Sequence, residues 1–124
     1  KAKPILYAGT ILAASGMLIM MPVRSMTGLL ISGSVLGAGI GLFLTSNWAL
    51  ANKLVPTAEA GKYLGLSNLA TAGAGALARL EGPALDSLNA LWPNRWMGYT
   101  FLFIFGALCM ALSLFLLLRV KEAR

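Results

Sequence analysis

The sequence predicts an all-α integral membrane protein with four transmembrane helices, and three observations support this prediction. Hydrophobic residues make up 58% of the 124 residues, whereas charged residues make up only 11%. An ordinary soluble domain carries about 25% charged residues. The charges also lie between long uncharged segments, which is where a membrane protein places them. A soluble globular domain and a disordered chain are therefore both excluded.

The first two predicted helices cover residues 4–21 and 27–51. Residues 4–21 carry no charge, and their length is close to the roughly 20 residues that cross about 30 Å of hydrocarbon. The turn that follows contains Pro22 and is too short to hold a domain, so we expect the second helix to return directly across the membrane. Residues 27–51 are an uncharged run of 25 residues, and Pro56 lies beyond its end.

The third and fourth predicted helices cover residues 63–85 and 96–118. The third is the weaker because Arg79 and Glu81 lie inside it, and a charge at mid-membrane costs about 2.5 to 3.5 kcal/mol on insertion scales. A neighbour or the membrane interface must compensate these charges, and Pro83, which follows a glycine, is able to kink or end the helix. The fourth segment is uncharged and rich in Phe and Leu.

The segment between these two helices, residues 86–95, is expected to form an exposed loop that contains Asn89. Aromatic residues concentrate in and just after this loop, where the outer membrane interface should lie. They are Trp92, Trp96 and Tyr99. Aromatic side chains are typical of membrane interfaces, so their position agrees with the predicted spans.

Basic residues in the short loops predict the orientation. With four spans, both termini and the middle loop share one side of the membrane. Seven cations lie on that side and two lie opposite. The seven are Lys1, Lys3, Lys53, Lys62, Arg119, Lys121 and Arg124, and the two are Arg24 and Arg95. The positive-inside rule then predicts a single multi-pass module over residues 1–124 in the cell (inner) membrane, with both termini in the cytoplasm.

Small residues spaced by four predict where helices pack closely, because close packing in lipid depends on small side chains. The second helix has Gly33, Gly37 and Gly41 on one face, and the third has Ala70, Ala74 and Ala78. We therefore expect the second and third helices to be interior. The first and fourth carry bulkier side chains and are expected to be peripheral.

Catalysis and nucleic-acid binding are not expected. The chain has no histidine, four carboxylates and one cysteine, Cys109, so nucleophilic catalysis and metal binding lack partners. The ten basic residues sit mostly at the ends of apolar segments and form no stripe for nucleic acid. We expect a protein that is not an enzyme, binds no cofactor and no metal, and has the lipid bilayer as its surroundings.

Four polar or interfacial residues are candidates for a substrate path, because polar groups inside a membrane usually face protein or water. They are Asn47, Trp48, Asn68 and Arg79. Each also has a structural interpretation. Asn47 and Trp48 would suit the membrane interface, and Asn68 would suit a hydrogen bond to a neighbouring helix.

Arg79 has a further structural interpretation as one partner of an ion pair. Asp86 lies seven residues later and would share its helical face if the helix continued past Pro83. Glu81, at a spacing of two, points elsewhere on the helix. The ion-pair candidates are therefore Arg79 with Asp86 or Glu81.

Two sequence segments, GLFLTSNWALANKLVP and AGKYLGLSNLATAGAGALARLEGPALD, together with the final apolar helix, resemble the end of a major facilitator superfamily transporter. Val55, Pro56 and Gly61 match the short cytoplasmic loop between that family's tenth and eleventh helices. The resemblance implies that the four helices correspond to the family's ninth to twelfth. It further implies that the second and third line a cavity or domain interface.

Two functions follow as hypotheses. The first is a carboxyl-terminal fragment of such a transporter, which supplies cavity-lining and supporting helices to the remaining helices of the transporter. The second is a transporter-derived structural subunit that packs in a larger membrane complex, respiratory or photosynthetic. Four helices supply only part of the two six-helix halves that transport requires, so this chain alone should not transport.

Overall fold

The computed structural model describes residues 2–119. These residues form helices and turns and contain no β-strand, which confirms the all-α prediction. The helices are α1 (Ala2–Met20), α2 (Met26–Leu54), α3 (Ala60–Arg79), α4 (Glu81–Leu91) and α5 (Met97–Leu117), with a short 3-10 helix (Thr57–Glu59) before α3. Ser25 caps α2, since its Oγ accepts a hydrogen bond from the backbone N–H of Gly28 at 3.1 Å.

Three helices in the described part of the chain are long and apolar enough to span a membrane. They are Lys3–Met20 in α1, Met26–Leu54 as α2 and Met97–Leu117 as α5. The third predicted span, residues 63–85, is not among them. The prediction of membrane helices is thus confirmed for three of the four segments.

The predicted third helix is divided at Leu80 into α3 and α4. Pro83 explains the position of the break, because proline has no N–H and its ring clashes with the carbonyl four residues earlier, here that of Arg79. Arg79 is the last residue of α3, and Pro83 lies in the first turn of α4, where proline is tolerated. The expected loop over residues 86–95 is also shorter than predicted, because α4 continues to Leu91.

The chain divides into two compact units. The first unit contains α1, α2 and the part of α5 from Phe103 onward, and the second contains Val55–Leu102. The prediction of one membrane module over residues 1–124 stays a prediction.

In the first unit, α1 and α2 pack against each other as antiparallel helices through small residues. A Cβ atom added to Gly39 would lie 2.7 Å from the Cα of Ala13, and one added to Gly16 would lie 2.7 Å from the Cα of Leu36. The two backbones therefore approach too closely for larger side chains at these positions. The hydroxyl of Thr10, buried between the helices, donates to the carbonyl oxygen of Leu6 at 2.7 Å.

The helix α5 runs antiparallel to α1 in the same unit. Near the end of α1, a Cβ atom added to Gly106 would lie 2.8 Å from the Sδ of Met17. At the opposite end, Leu117 packs against the buried side chains of Leu6 and Leu50. The start of α1, the end of α2 and the end of α5 therefore meet at one end of this unit, which we call the Leu6 end.

Within the described residues, burial is concentrated where α1 meets α2; the expected division into interior and peripheral helices stays a prediction. The predicted peripheral helix α1 supplies the buried residues Leu6, Thr10 and Ala13, whereas no residue of α3 is buried. The physical reason is that α1 has its own small residues, Gly9, Ala13 and Gly16, on the face that meets α2.

Candidate functional site

On the glycine face predicted on α2, Gly37 and Gly41 lie away from α1, whereas Gly33 lies near the end of α1. Apart from the neighbouring backbone of α2 itself, no heavy atom lies within 4 Å of the Cβ position of Gly37 or Gly41, and the nearest to that of Gly33 is the Cε of Met20 at 3.8 Å. Gly37 and Gly41 are each two residues from Gly39, which places them about 200° around the helix from the face that contacts α1. Their packing role stays a prediction and requires a partner other than α1.

The face that does pack was missed, although the sequence contains a signal for it. On α2, Ser32, Gly39 and Ser46 are buried and spaced by seven residues. On α1, Gly9 and Gly16 are also spaced by seven. A spacing of seven, close to two helical turns, keeps small residues on one face as well as a spacing of four does.

The alanine face predicted on α3 is exposed within the second unit. Ala70, Ala74, Ala78 and the candidate Asn68 are all exposed. The glycines of this helix also have no heavy atom within 4 Å of their Cβ positions; they are Gly61, Gly65, Gly73 and Gly75. The hydrogen bond of Asn68 to a neighbouring helix and the close packing of the alanines stay predictions.

Asn47 and Trp48 are exposed on the second half of α2. Their neighbours Ser46 and Leu50 face the interior of the first unit, whereas Trp48 is 41% exposed. Asn68 and Arg79 belong to the other unit. That these four residues contribute to a substrate path stays a prediction.

Within residues 2–119, Arg79 forms no ion pair with either of its predicted partners, Asp86 and Glu81. Arg79 and Asp86 are exposed and Glu81 is half-buried, on either side of the break at Leu80. In the same unit, the exposed side chains of Lys62 and Glu59 form an ion pair at 3.7 Å. The role of Arg79 in an ion pair stays a prediction.

A well-defined corner connects α4 to α5 in the second unit. The side-chain Oδ1 of Asn89 accepts a hydrogen bond from the backbone N–H of Gly98 at 2.9 Å, which satisfies a free donor at the start of α5. Gly98 is buried, and a Cβ atom added there would meet the carbonyl oxygen of Leu85 and lie 2.9 Å from its Cγ. The sequence predicted Asn89 only as a loop residue. Its capping role was missed because Asn89 lies on α4 and caps a different helix, α5.

The same corner holds an aromatic pocket of about 240 Å³. It is lined by Asn89, Trp92, Asn94, Trp96 and Tyr99. The ring centroids of Trp96 and Tyr99 are 5.9 Å apart with the planes tilted by 48°. The backbone of Trp96 has φ 53° and that of Asn94 has φ 68°, and a left-handed conformation is unusual for a bulky residue.

A second concave surface lies in the first unit between α1 and α5. This apolar groove has a volume of about 400 Å³ and is lined by Tyr7, Ile11, Ala111, Leu114, Phe115 and Leu118. The groove is almost entirely apolar, so it suits a hydrocarbon ligand better than a polar substrate.

Within residues 2–119, no group of three or more His, Cys, Asp or Glu side chains is placed to hold a metal ion. Cys109 is a free, exposed cysteine on α5. The predictions that the protein is not an enzyme and binds no cofactor stay predictions.

Apolar helices long enough to cross a bilayer, with large hydrophobic side chains exposed along them, define a helical membrane protein. Comparison with protein families identifies which one. The family model of the PUCC protein matches residues 3–124, so the chain belongs to the PUCC protein family. Comparisons with curated proteins and with solved structures found no match.

This result corrects the predicted family. The chain matches the PUCC protein family and no major facilitator family, so the predicted membership of the major facilitator superfamily is wrong. The resemblance relied on two sequence segments rich in small residues, a final apolar helix and a loop with proline and glycine. These features are common wherever membrane helices pack closely.

Proposed function

We propose that this chain is a structural, membrane-embedded component that packs against a photosynthetic complex. Membership of the PUCC protein family supports a link to photosynthetic complexes. The observation that carries the proposal is that Gly37 and Gly41 on α2 and the glycines of α3 have no neighbouring helix against their Cβ positions. A protein helix is able to approach such faces closely.

The buried core is small, which supports a need for outside partners. Among the described residues, the buried hydrophobic side chains are those of Leu6, Ala13, Leu50 and Ala107. Acyl chains are able to cover the long exposed side chains of α2 and α5. At Gly37 and Gly41 a neighbouring helix gains more contact than a mobile acyl chain does, because its backbone fits against a surface without side chains.

Chain connectivity supports a fourth crossing. The segment Val55–Leu102 leaves α2 at the Leu6 end of the first unit, where Leu50 and Leu117 meet. It re-enters at Phe103, near Gly106 and Met17, toward the opposite end of α1. We propose on this basis that the segment passes from one side of the membrane to the other. The 20 residues of α3 extend about 30 Å, which equals the hydrocarbon thickness.

With this crossing both termini share one side, and we propose the cytoplasmic side of the inner membrane. In the first unit, Lys3, Lys53 and Arg119 lie at or beyond the Leu6 end, whereas Arg24 lies at the other. The positive-inside rule favours the cytoplasm for the end with more cations. Lys1, Lys121 and Arg124, which also entered the predicted orientation, lie outside the described residues.

The proposed role requires no catalysis, cofactor or nucleic acid. Its partners are the bilayer and the subunits of the complex. Asn47, Trp48, Asn68 and Arg79 then serve as polar contacts to those subunits or to the interface, and Arg79 finds its carboxylate on a neighbouring chain.

The test is co-purification of the complex with affinity-tagged chain from native membranes. The variants Gly37→Leu and Gly41→Leu add bulk to the free face of α2, where nothing in the first unit lies within 4 Å. We expect the co-purified photosynthetic complex to fall about tenfold or more, because a bulky side chain holds the partner helix away. Helical content and Tm should not change.

Two controls complete this experiment. Ala8→Leu adds bulk at an exposed position of α1 and should leave co-purification unchanged. Gly37→Ala should have a smaller effect than Gly37→Leu. Recovery of the complex at the wild-type level with both leucine variants would contradict the proposal.

A further inference from the structure

The apolar groove between α1 and α5 is aligned with a cationic end of the first unit. On α1, Tyr7 and Ile11 line the groove, and Lys3 precedes Tyr7 by four residues, so the three share one face of the helix. The groove therefore extends along the helix toward Lys3 at the Leu6 end.

A second cation lies at the same end on α5. The guanidinium Cζ of Arg119 is 5.6 Å from the ring centroid of Phe115, a residue that lines the groove. The backbone N–H of Arg119 donates to the carbonyl oxygen of Leu116 at 3.0 Å, which holds the turn after α5 in place. The charged group of Arg119 is exposed, so it can reach an anion beside the groove.

We propose that this groove binds a phospholipid with an anionic headgroup. One acyl chain lies in the apolar groove along Ile11, Ala111 and Leu114, and the headgroup phosphate pairs with Arg119 and Lys3. The charge distribution selects this occupant. A wholly apolar ligand would gain nothing from the cations, whereas a phosphate is the natural partner of an arginine at a membrane surface.

The geometry agrees with the direction of a lipid in a bilayer. The groove runs along helices that cross the membrane, so an acyl chain in it lies along the membrane normal. The cations stand at the end where α1 begins and α5 finishes, which is the depth of the headgroups. This inference does not depend on the proposed association with a photosynthetic complex.

The experiment measures lipid binding to the purified chain in detergent by native mass spectrometry. Equal amounts of POPG and POPC, which are anionic and zwitterionic, compete for the protein. We expect bound POPG to exceed bound POPC. Arg119→Gln should lower this preference about fivefold, and Lys3→Gln should lower it further. Arg24→Gln removes a cation at the opposite end and is the matched control, which should keep the wild-type preference.

A second variant tests the contribution of the groove to lipid binding separately from that of the cations. Ala111→Trp fills the exposed wall of the groove and should reduce POPG binding while Arg119 and Lys3 remain. Circular dichroism verifies that each variant keeps its helices. Equal binding of POPG and POPC to the wild type would overturn the proposal. So would undiminished POPG preference in Ala111→Trp, or an equal loss of preference in Arg24→Gln and Arg119→Gln.

Discussion

The two units of the chain contain similar small-residue helices but use them differently. In the first unit, Gly39 on α2 meets Ala13 on α1 so closely that neither backbone leaves space for a larger side chain. In the second unit, Gly65 and Gly73 on α3 have no heavy atom within 4 Å of their Cβ positions. Small residues thus mark a helix face that is able to accept a close neighbour, whereas the position of that neighbour decides which face is filled.

The two units also differ in that α1 and α2 of the first are apolar enough to span a membrane, whereas a crossing by the second is a proposal. The topology prediction that follows has an all-or-none outcome. If Val55–Leu102 crosses the membrane, cysteines at Thr57 and Arg95 should be labelled from opposite sides by a membrane-impermeant thiol reagent. Arg24→Cys should be labelled from the same side as Arg95→Cys. The background is Cys109→Ser, which removes the one native cysteine.

The readout is labelling of intact spheroplasts compared with inverted vesicles. Labelling of Thr57→Cys and Arg95→Cys from one and the same side would show that α3 does not cross.

The largest expected loss of stability is at the filled face of α2. Gly39→Leu should lower the free energy of unfolding by about 3 kcal/mol or more, since the new side chain collides with the backbone of Ala13. Gly37→Leu is the matched variant two residues away and should change stability by less than about 0.5 kcal/mol. Thermal or denaturant unfolding in detergent measures both. Equal destabilisation by the two variants would contradict the assignment of faces.

An intermediate effect is expected at the corner between α4 and α5. Asn89→Ala removes the acceptor for the N–H of Gly98 and should cost about 1 kcal/mol, as the loss of a helix cap typically does. Asn89→Asp keeps the acceptor and is the control that should retain most of the stability. A wild-type Tm for Asn89→Ala would mean that the cap contributes nothing.

The smallest effect is expected in the turn before α5. Asn94 has φ 68°, a conformation that glycine adopts freely and a β-branched residue adopts poorly. Asn94→Gly should therefore leave Tm unchanged or slightly higher, whereas Asn94→Val should lower stability by about 1 kcal/mol. The same unfolding measurement distinguishes them, and a more stable valine variant would contradict the left-handed turn.

Sequence reasoning located α1, α2 and α5 well because long uncharged runs bounded by polar residues identify membrane helices directly. The predicted residues 4–21 correspond to Ala2–Met20, and 96–118 correspond to Met97–Leu117. Near Pro83 the sequence signalled a kink, but only the backbone shows that α3 ends at Arg79. The aromatic residues Trp92, Trp96 and Tyr99 were also recognisable as a group in the sequence.

The packing face and the family were harder to predict. Glycines spaced by four and small residues spaced by seven both occur on α2, and nothing in one helix decides between them. That choice depends on the shape of α1, where Gly9 and Gly16 leave the matching space. Membrane helices share such patterns across families, so the pattern alone led to the wrong one.

The most direct test of the proposed packing is photo-crosslinking in native membranes with a photoreactive amino acid placed at position 37 or position 39. At Gly37, which has no neighbour within 4 Å in its unit, the expected product joins the chain to a subunit of a photosynthetic complex. At Gly39 the expected product is internal, because Ala13 lies against it. Position 37 yielding lipid adducts alone, with no protein partner, would contradict the proposed role.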